Sequence, residues 1–302
     1  MPTGVVLNPD HSAENTVDDA ITQARRAYDA GVRQLWLAQM ADIDAIALAG
    51  LIGAAVPGLG VGTSVVPINP RHPLLISAAA QTAQAASHGQ FSLGLGLGAP
   101  DVEQAVFGVR WSNTITRLRE HLTVLRSILD TGAADFDGEE ISTHSQWPVS
   151  VGGGSPIPIY VAAMGPKALQ ITGELADGTL PYLAGPKTLE QFIVPTITAA
   201  AVGRPAPRII AMVPVLVTDD VDAGRLWAAE QLGFYETIPS YQKVIAREGV
   251  DGVVDLAAVG SAAEVTKHLK RYLDAGATDV VLSPMRRAPG DAEANWAVAA
   301  GL

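Results

Sequence analysis

Four short stretches of the sequence hold residue types from which chemistry could be built. Gly94-Leu95-Gly96-Leu97-Gly98-Ala99 satisfies G-x-G-x-x-G/A, the spacing that lets a backbone approach a dinucleotide pyrophosphate. Ala162-Ala163-Met164-Gly165-Pro166, followed by Lys167, has the form of a turn that opens a helix. Free N–H groups and the helix dipole at such a turn can hold an anion. Pro70-Arg71-His72-Pro73 sets a charged pair between two prolines, and Gly185-Pro186-Lys187-Thr188 has the ending of a P-loop.

Each stretch also has a plainer reading. A dinucleotide fingerprint belongs on the first strand, and its ribose-binding acid should end a second strand about 20 residues on. Here that acid is Glu120, inside a helical pattern. The glycines therefore read as a strand where a ring or another backbone comes close. Gly58, Gly60 and Gly62 repeat the pattern, and two such strands side by side would leave a flat slot. The P-loop is rejected because its first glycine is missing and a proline intrudes. Lys167 sits on a loop-to-helix turn, which favours an exposed lysine over a Schiff base. Pro73 fits a first helical position, so Arg71 and His72 either stiffen a loop or face a ligand. The anion site and a plain helix start stay equally open on these residues alone.

Composition removes whole classes of function. The chain has 302 residues and no cysteine, which excludes disulfides, thiolate metal sites and thiol nucleophiles. A formal net charge of -11 gives no attraction to nucleic acid or anionic membrane. No G-x-S-x-G or H-E-x-x-H occurs and the six histidines are scattered, so neither a hydrolase elbow nor a metal site is expected. Residues 1–4 lack a basic and apolar leader, and apolar runs stop well short of a membrane span. The sequence reads as soluble and intracellular. Hydrophobic residues reach 48% but aromatics only 5%, so the core must be aliphatic.

The elements that must position these residues alternate in type. Short apolar runs at 4–7, 34–39, 59–67, 91–98, 157–163, 178–183, 208–217 and 278–282 read as strands. Helical patterns follow at 15–30, 43–55, 73–87, 113–130, 166–176, 188–202, 222–250, 262–275 and 291–300. Eight near-continuous apolar strands with helices between them fit an α/β fold with a parallel sheet covered on both faces. A doubly wound sheet and a (β/α)8 TIM barrel both satisfy this, and the barrel is favoured. One domain is expected over 1–302. A turn-rich excursion at 134–156 and a helical insertion at 222–260 account for its surplus length.

At residues 59–98 (LGVGTSVVPINPRHPLLISAAAQTAQAASHGQFSLGLGLG) the chain resembles the luciferase-like monooxygenase superfamily. QLWLAQM at 34–40, IYVAAMGPKALQITGELAD at 159–177 and the segment 259–283 extend the resemblance over nearly the whole chain. Leu37-Ala38-Gln39, PRHP and LPYLAGP at 180–186 look most like the actinobacterial branch that uses the deazaflavin coenzyme F-420. The resemblance implies a bacterial luciferase-like (β/α)8 barrel with insertions and a ring cofactor at its C-terminal mouth. It implies a cis peptide at Ser64–Val65 against the back of the ring. Pro67, Gly98 and Ala99 would border the ring or its tail. Ala163, Met164 and Gly165 would offer backbone donors to a phosphate, with Lys167 beside them. A homodimer is implied as well.

Departures from the family matter here. Relatives often carry an acid and then His at the end of the second strand, where this chain has Gln39 and Met40. Ala99 replaces an acid sometimes found after the fourth strand. Gln39 is then expected to hydrogen-bond the ring or substrate, and Asp101, Tyr182, His72 and His11 are the remaining candidates for proton transfer. Trp36, Met40, Leu97 and Met164 are expected to form an apolar rim. Arg286 and Arg287 alone could supply cations at the mouth, too few for a sugar phosphate. The leading expectation is a cytoplasmic oxidoreductase that moves hydride between F-420 and a small apolar substrate such as an enone, imine, carbonyl or alcohol. An FMN-dependent monooxygenase and a catalytically silent deazaflavin binder are the alternatives.

Overall fold

The computed structural model describes residues 3–302 except 99, 111, 288 and 289, and of residues 100–102 the backbone alone. The chain opens with β1 (Thr3–Val6), α1 (Thr16–Asp29), β2 (Gln34–Leu37), α2 (Ala45–Ala55) and β3 (Gly60–Thr63). After the short β4 (Val66–Pro67) come α3 (Pro73–Ala86), β5 (Phe91–Gly96), α4 (Pro100–Phe107) and α5 (Thr114–Thr131). A hairpin of β6 (Asp135–Asp137) and β7 (Ser142–His144) forms the excursion. The alternation resumes with β8 (Ile159–Val161), α6 (Pro166–Leu175), β9 (Gly178–Thr179), α7 (Pro186–Thr188) and α8 (Val194–Ala200). Then follow β10 (Arg208–Val217), α9 (Val221–Leu232), α10 (Pro239–Glu248), β11 (Ala258–Gly260), α11 (Ala262–Asp274), β12 (Asp279–Pro284) and α12 (Asp291–Gly301).

Eight strands close a parallel barrel in the order β1-β2-β3-β5-β8-β9-β10-β12, with β12 pairing back to β1. All eight were legible as apolar runs. The α4 helix and β11 were not expected; β11 pairs with the far end of β10, where Val215 meets Ala258. Side chains of Val6, Trp36, Tyr160, Leu180, Ile210, Met212 and Val281 fill the barrel interior. A larger aliphatic shell packs helices on the outer face. The Trp36 and Tyr160 rings meet edge-on at 6.1 Å.

Local chemistry sets the helix ends. Asn15 and Asn113 each accept from two first-turn amides of α1 and α5. Ser261 and Glu264 form a capping box on α11. Glu120 does lie in a helix, where its carboxylate accepts from the amides of Glu139, Glu140 and Ile141 at 2.8–2.9 Å. It thereby pins the hairpin turn, and a side chain at Gly138 would strike that carboxylate.

Candidate functional site at the barrel mouth

A cavity of about 600 Å³ opens at the C-terminal ends of β5 and β8, within the size range of small-molecule sites. One wall carries Val65, Gly96 and Gly98; the facing wall carries Met164, Gly165 and Lys167. Ile238 and Tyr241, from the insertion after β10, cover one side. The Ser64–Val65 peptide is cis. The Ser64 hydroxyl is buried with no hydrogen-bond partner.

The start of α6, like those of α7 and α10, has no side-chain cap. Gly165 is its N-cap and offers no side chain, and Pro166 follows at the first helical position. Asn15, Asp44, His72 and Asn113 all cap their own helices with side chains. First-turn N–H groups of an uncapped helix need an outside acceptor, and these lie at the wall of the cavity. The other glycine-proline turn is already filled. At α7 the Glu248 carboxylate accepts from the amides of Lys187 and Thr188 at 3.1 and 2.8 Å. An internal carboxylate thus takes the place that a phosphate would have in a P-loop.

The glycine strands make room for protein groups. A Cβ on Gly94 would fall 2.7 Å from Leu180 Cδ1 and closer still to the Thr63 carbonyl oxygen. A Cβ on Gly62 would fall 2.7 Å from the Trp36 ring. The expected slot between the two strands is therefore closed at these levels. At Gly96 and Gly98, which line the cavity, a Cβ would likewise meet protein: Val65 Cγ2 at 2.5 Å and the Glu103 carboxyl.

The predicted site residues divide. Val65, Gly98, Met164, Gly165 and Lys167 come together around the cavity. Ser64 sits beside it; Pro67 pairs with Gly96, and Ala163 is buried just behind Ala162, which does line it. Gln39 is corrected. Its amide nitrogen donates to Met40 O and Ile43 O at 2.7 and 2.8 Å, and its oxygen accepts from the Ala45 amide at 3.1 Å. The side chain is spent on its own loop, because an uncovered turn before α2 leaves backbone groups that it satisfies. His72 is likewise corrected: Nδ1 accepts from the Leu74 amide to cap α3, and Nε2 contacts Ser142 O at 3.2 Å. Arg71 pairs with Asp44 at 2.6 Å. The Pro70–Pro73 stretch is thus a structural clamp.

Tyr182 lies in an aromatic cluster with Tyr235 and Tyr241 and lines a different hollow. Burial pushes its phenol well above the ordinary range. Trp36 is fully buried in the barrel and forms no rim, and Met40 is exposed away from the cavity; Leu97 and Met164 do line it. Ala99 and the Asp101 side chain lie outside the described residues. Among the described residues, no group of three His, Asp or Glu side chains is placed to hold a metal ion.

Sequence reasoning missed a buried polar cluster behind the Gly98 wall. Glu103 is buried, and its carboxyl lies against Gly98. Asn69 Nδ2 donates to it at 2.6 Å and to Leu97 O at 2.8 Å. Burial raises the Glu103 pKa, opposed by Asn69 and Arg117. His121 beside this cluster has no partner at either ring nitrogen and is held neutral, with its pKa lowered to about 3 chiefly by burial. The only sequence signal was a lone acid four residues after Ala99. The Tyr235 and Tyr241 wall had a clearer one, in three aromatics clustered around the Pro239 break.

Comparison with known proteins bears on this geometry. The family model described as luciferase-like monooxygenase matches residues 1–279. An F-420-dependent glucose-6-phosphate dehydrogenase of Mycolicibacterium smegmatis is 27% identical over 238 residues, 76% of this chain and 69% of that protein. Among solved structures, a coenzyme F-420-dependent tetrahydromethanopterin reductase of Methanopyrus kandleri superposes with a TM-score of 0.78 at 20% identity, covering 99% of this chain and 97% of that one. A type II Baeyer–Villiger monooxygenase component of Pseudomonas putida, solved with FMN, gives 0.75 at 16%, covering 99% and 96%.

Proposed function

The chain belongs to the luciferase-like monooxygenase family, and from that premise we propose that it is an oxidoreductase that transfers hydride between coenzyme F-420 and a small, largely apolar organic molecule. One observation carries this reading. The uncapped start of α6 borders one cavity with Val65 and Gly98. Such a cavity offers a flat wall for a ring and donors for a phosphate.

The residues fit that cofactor on grounds of their own. Gly96, Gly98 and Ala162 bring backbone to the cavity wall, with Val65 and Glu103 packed against the two glycines. The orphaned Ser64 hydroxyl is a buried polar group that calls for a partner. The amides of the first turn of α6, with Lys167 beside them, would hold the anionic tail. The deazaflavin, when bound, supplies the hydride at its carbon 5. The chain supplies orientation and dryness: Val65 would press one ring face, while Ile115, Ile238 and Tyr241 would exclude water. No protein acid stands at Gln39 or Met40. Glu103 is the buried carboxyl next to the cavity wall, and it would act on Gly98 and Leu97 through Asn69 as a positioning group.

FMN is the second reading, favoured by the fold shared with the FMN-bound monooxygenase component. The two separate by chemistry, since a carbon at position 5 makes the deazaflavin sluggish toward oxygen. Titration of the purified protein with F-420 and, separately, with FMN decides between them. Binding of F-420 is expected; tight FMN binding with no F-420 binding overturns the proposal. We further propose, from the family resemblance, a cytoplasmic homodimer. The groove between α2 and α3, flanked by the half-exposed Leu51, would be its contact face.

A further inference from the structure

A second hollow of about 570 Å³ opens at the same end of the barrel. The ends of β1 and β12 form one side of it, with Asp10, His11 and Arg286. The insertion forms the other, with Trp227 and Tyr235, and Tyr182 lies between. Tyr235 lines this hollow and the first cavity alike. Its ring packs edge-on against Tyr182 at 5.3 Å and Tyr241 at 5.0 Å, so it stands as a partition between the two spaces.

Arg286 is the chemically unusual wall residue. Its Nη2 donates to Gln23 Oε1 at 3.0 Å, while its Nε is buried with no partner. Among the described residues, no carboxylate lies within ion-pair distance of it. The nearby acid, Asp10, is already engaged: Oδ1 accepts from the Ser12 hydroxyl and amide at 2.6 and 2.8 Å. His11, on the same wall, pairs with Asp42 at 3.0 Å. In a chain of net charge -11, an anion reaching this hollow must be recognised locally, since the overall field repels it.

A guanidinium hydrogen-bonded to Gln23 keeps further Nη–H groups, and these match a planar carboxylate through paired hydrogen bonds. Trp227, Tyr182 and Tyr235 match an aromatic or bulky apolar body. Among the described residues lining the hollow, the Arg286 charge is partly offset by Asp10, so the site takes at most a single negative charge, through direct hydrogen bonds, and disfavours a phosphate dianion. We propose that this hollow is the substrate site, taking a molecule with one carboxylate on an aromatic or bulky apolar body, anchored by Arg286 and passing its reactive end around Tyr235 toward the first cavity. The catalytic meaning rests on the hydride-transfer reading; the carboxylate recognition does not.

The test uses trans-cinnamate and its neutral isostere cinnamamide as probes, with the full-length protein and isothermal calorimetry. Cinnamate is expected to bind about tenfold or more tightly than the amide, as befits a charge-assisted pair. Arg286→Gln is expected to erase that preference while leaving the melting curve and the F-420 affinity unchanged. Arg286→Lys, which keeps the charge without the fork, is expected to retain part of it. Equal binding of the two probes, binding of neither, or an unchanged preference in folded Arg286→Gln overturns the proposal. If F-420 fails to bind while the cinnamate preference holds, the cofactor reading falls and the carboxylate site stands.

Discussion

Gly94→Ala should be among the most damaging single-methyl additions available in this barrel. Gly94 sits in the middle of β5, between β3 and β8. Its N–H donates to the Thr63 hydroxyl at 2.9 Å, and that hydroxyl donates to its carbonyl at 2.8 Å. An added Cβ would meet Thr63 C at 2.9 Å, the adjoining carbonyl oxygen closer still, and Leu180 Cδ1 at 2.7 Å. Leu180 can turn, but Thr63 is backbone in a paired strand and cannot. Overpacking of this kind costs about 1–3 kcal/mol. Loss of the two Thr63 hydrogen bonds adds roughly 1 kcal/mol each. The total, about 3–5 kcal/mol, corresponds to a fall in Tm of roughly 5 to 8 °C for a chain of 302 residues. Scanning calorimetry reads it directly. Because Thr63 leads into Ser64–Val65, any shift should also reach the cavity wall, so cofactor affinity should drop in the fraction that stays folded. A Gly94→Ala protein melting within about 2 °C of the parent, with unaltered cofactor affinity, would refute the argument that this glycine makes room for β3.

Gly165→Ala provides the opposite case: nothing lies within 4 Å of its added Cβ. It should leave Tm unchanged yet weaken F-420 binding about tenfold, because the methyl enters the cavity where the phosphate would sit; fluorescence titration checks this, alongside a milder, salt-dependent loss in Lys167→Gln. Folding excludes a proton from His121 between its ordinary pKa of 6.5 and the folded value of about 3, so stability from this group is lost as pH falls through that window. His121→Leu should therefore gain more Tm at pH 5 than at pH 8, as measured by thermal melts in matched buffers. If the α2–α3 groove is the proposed dimer contact, Leu51→Lys should shift the protein to monomer by light scattering without loss of fold, since Leu51 is 50% exposed.

The fold was legible because each barrel strand is a short, continuous apolar run, and each helix announces its ends with Asn, Ser, Pro or Gly. Tertiary pairing was not legible in the same way. Ala258–Gly260 has no apolar length of its own and becomes β11 only because β10 extends past the barrel to meet it. The site was half legible. Backbone features follow from local sequence, so Gly165, Met164 and Val65 fell where the motifs put them. Side-chain roles depend on what a residue finds after folding. Gln39 and His72 have the right chemistry for a ligand, yet each found unsatisfied backbone groups nearer at hand. Glu103 sits in a stretch without a motif, and only the folded barrel brings it beside the cavity wall; Arg286 at the mouth and the aromatics around Pro239 had signals in the sequence, but not their places in a hollow.

The contrast between the two glycine-proline turns shows how an acidic chain can hold an anionic cofactor. Both turns place N–H groups at a helix start with no side-chain cap from within. At α7 the chain spends one of its own carboxylates, Glu248, to fill the position. Among the described residues no acid caps α6, and Lys167 adds charge at the cavity rim. Helix-end attraction fades within a turn and a lone lysine is screened within about 8 Å at physiological salt. Binding of the tail at α6 must then depend on direct N–H contact more than on field, and so should survive added salt better than it survives the Gly165 methyl. A Gly165→Ala protein that binds F-420 normally, while 0.5 M salt abolishes binding to the parent, would reverse that order and place the anion grip in lysine charge instead of the helix start.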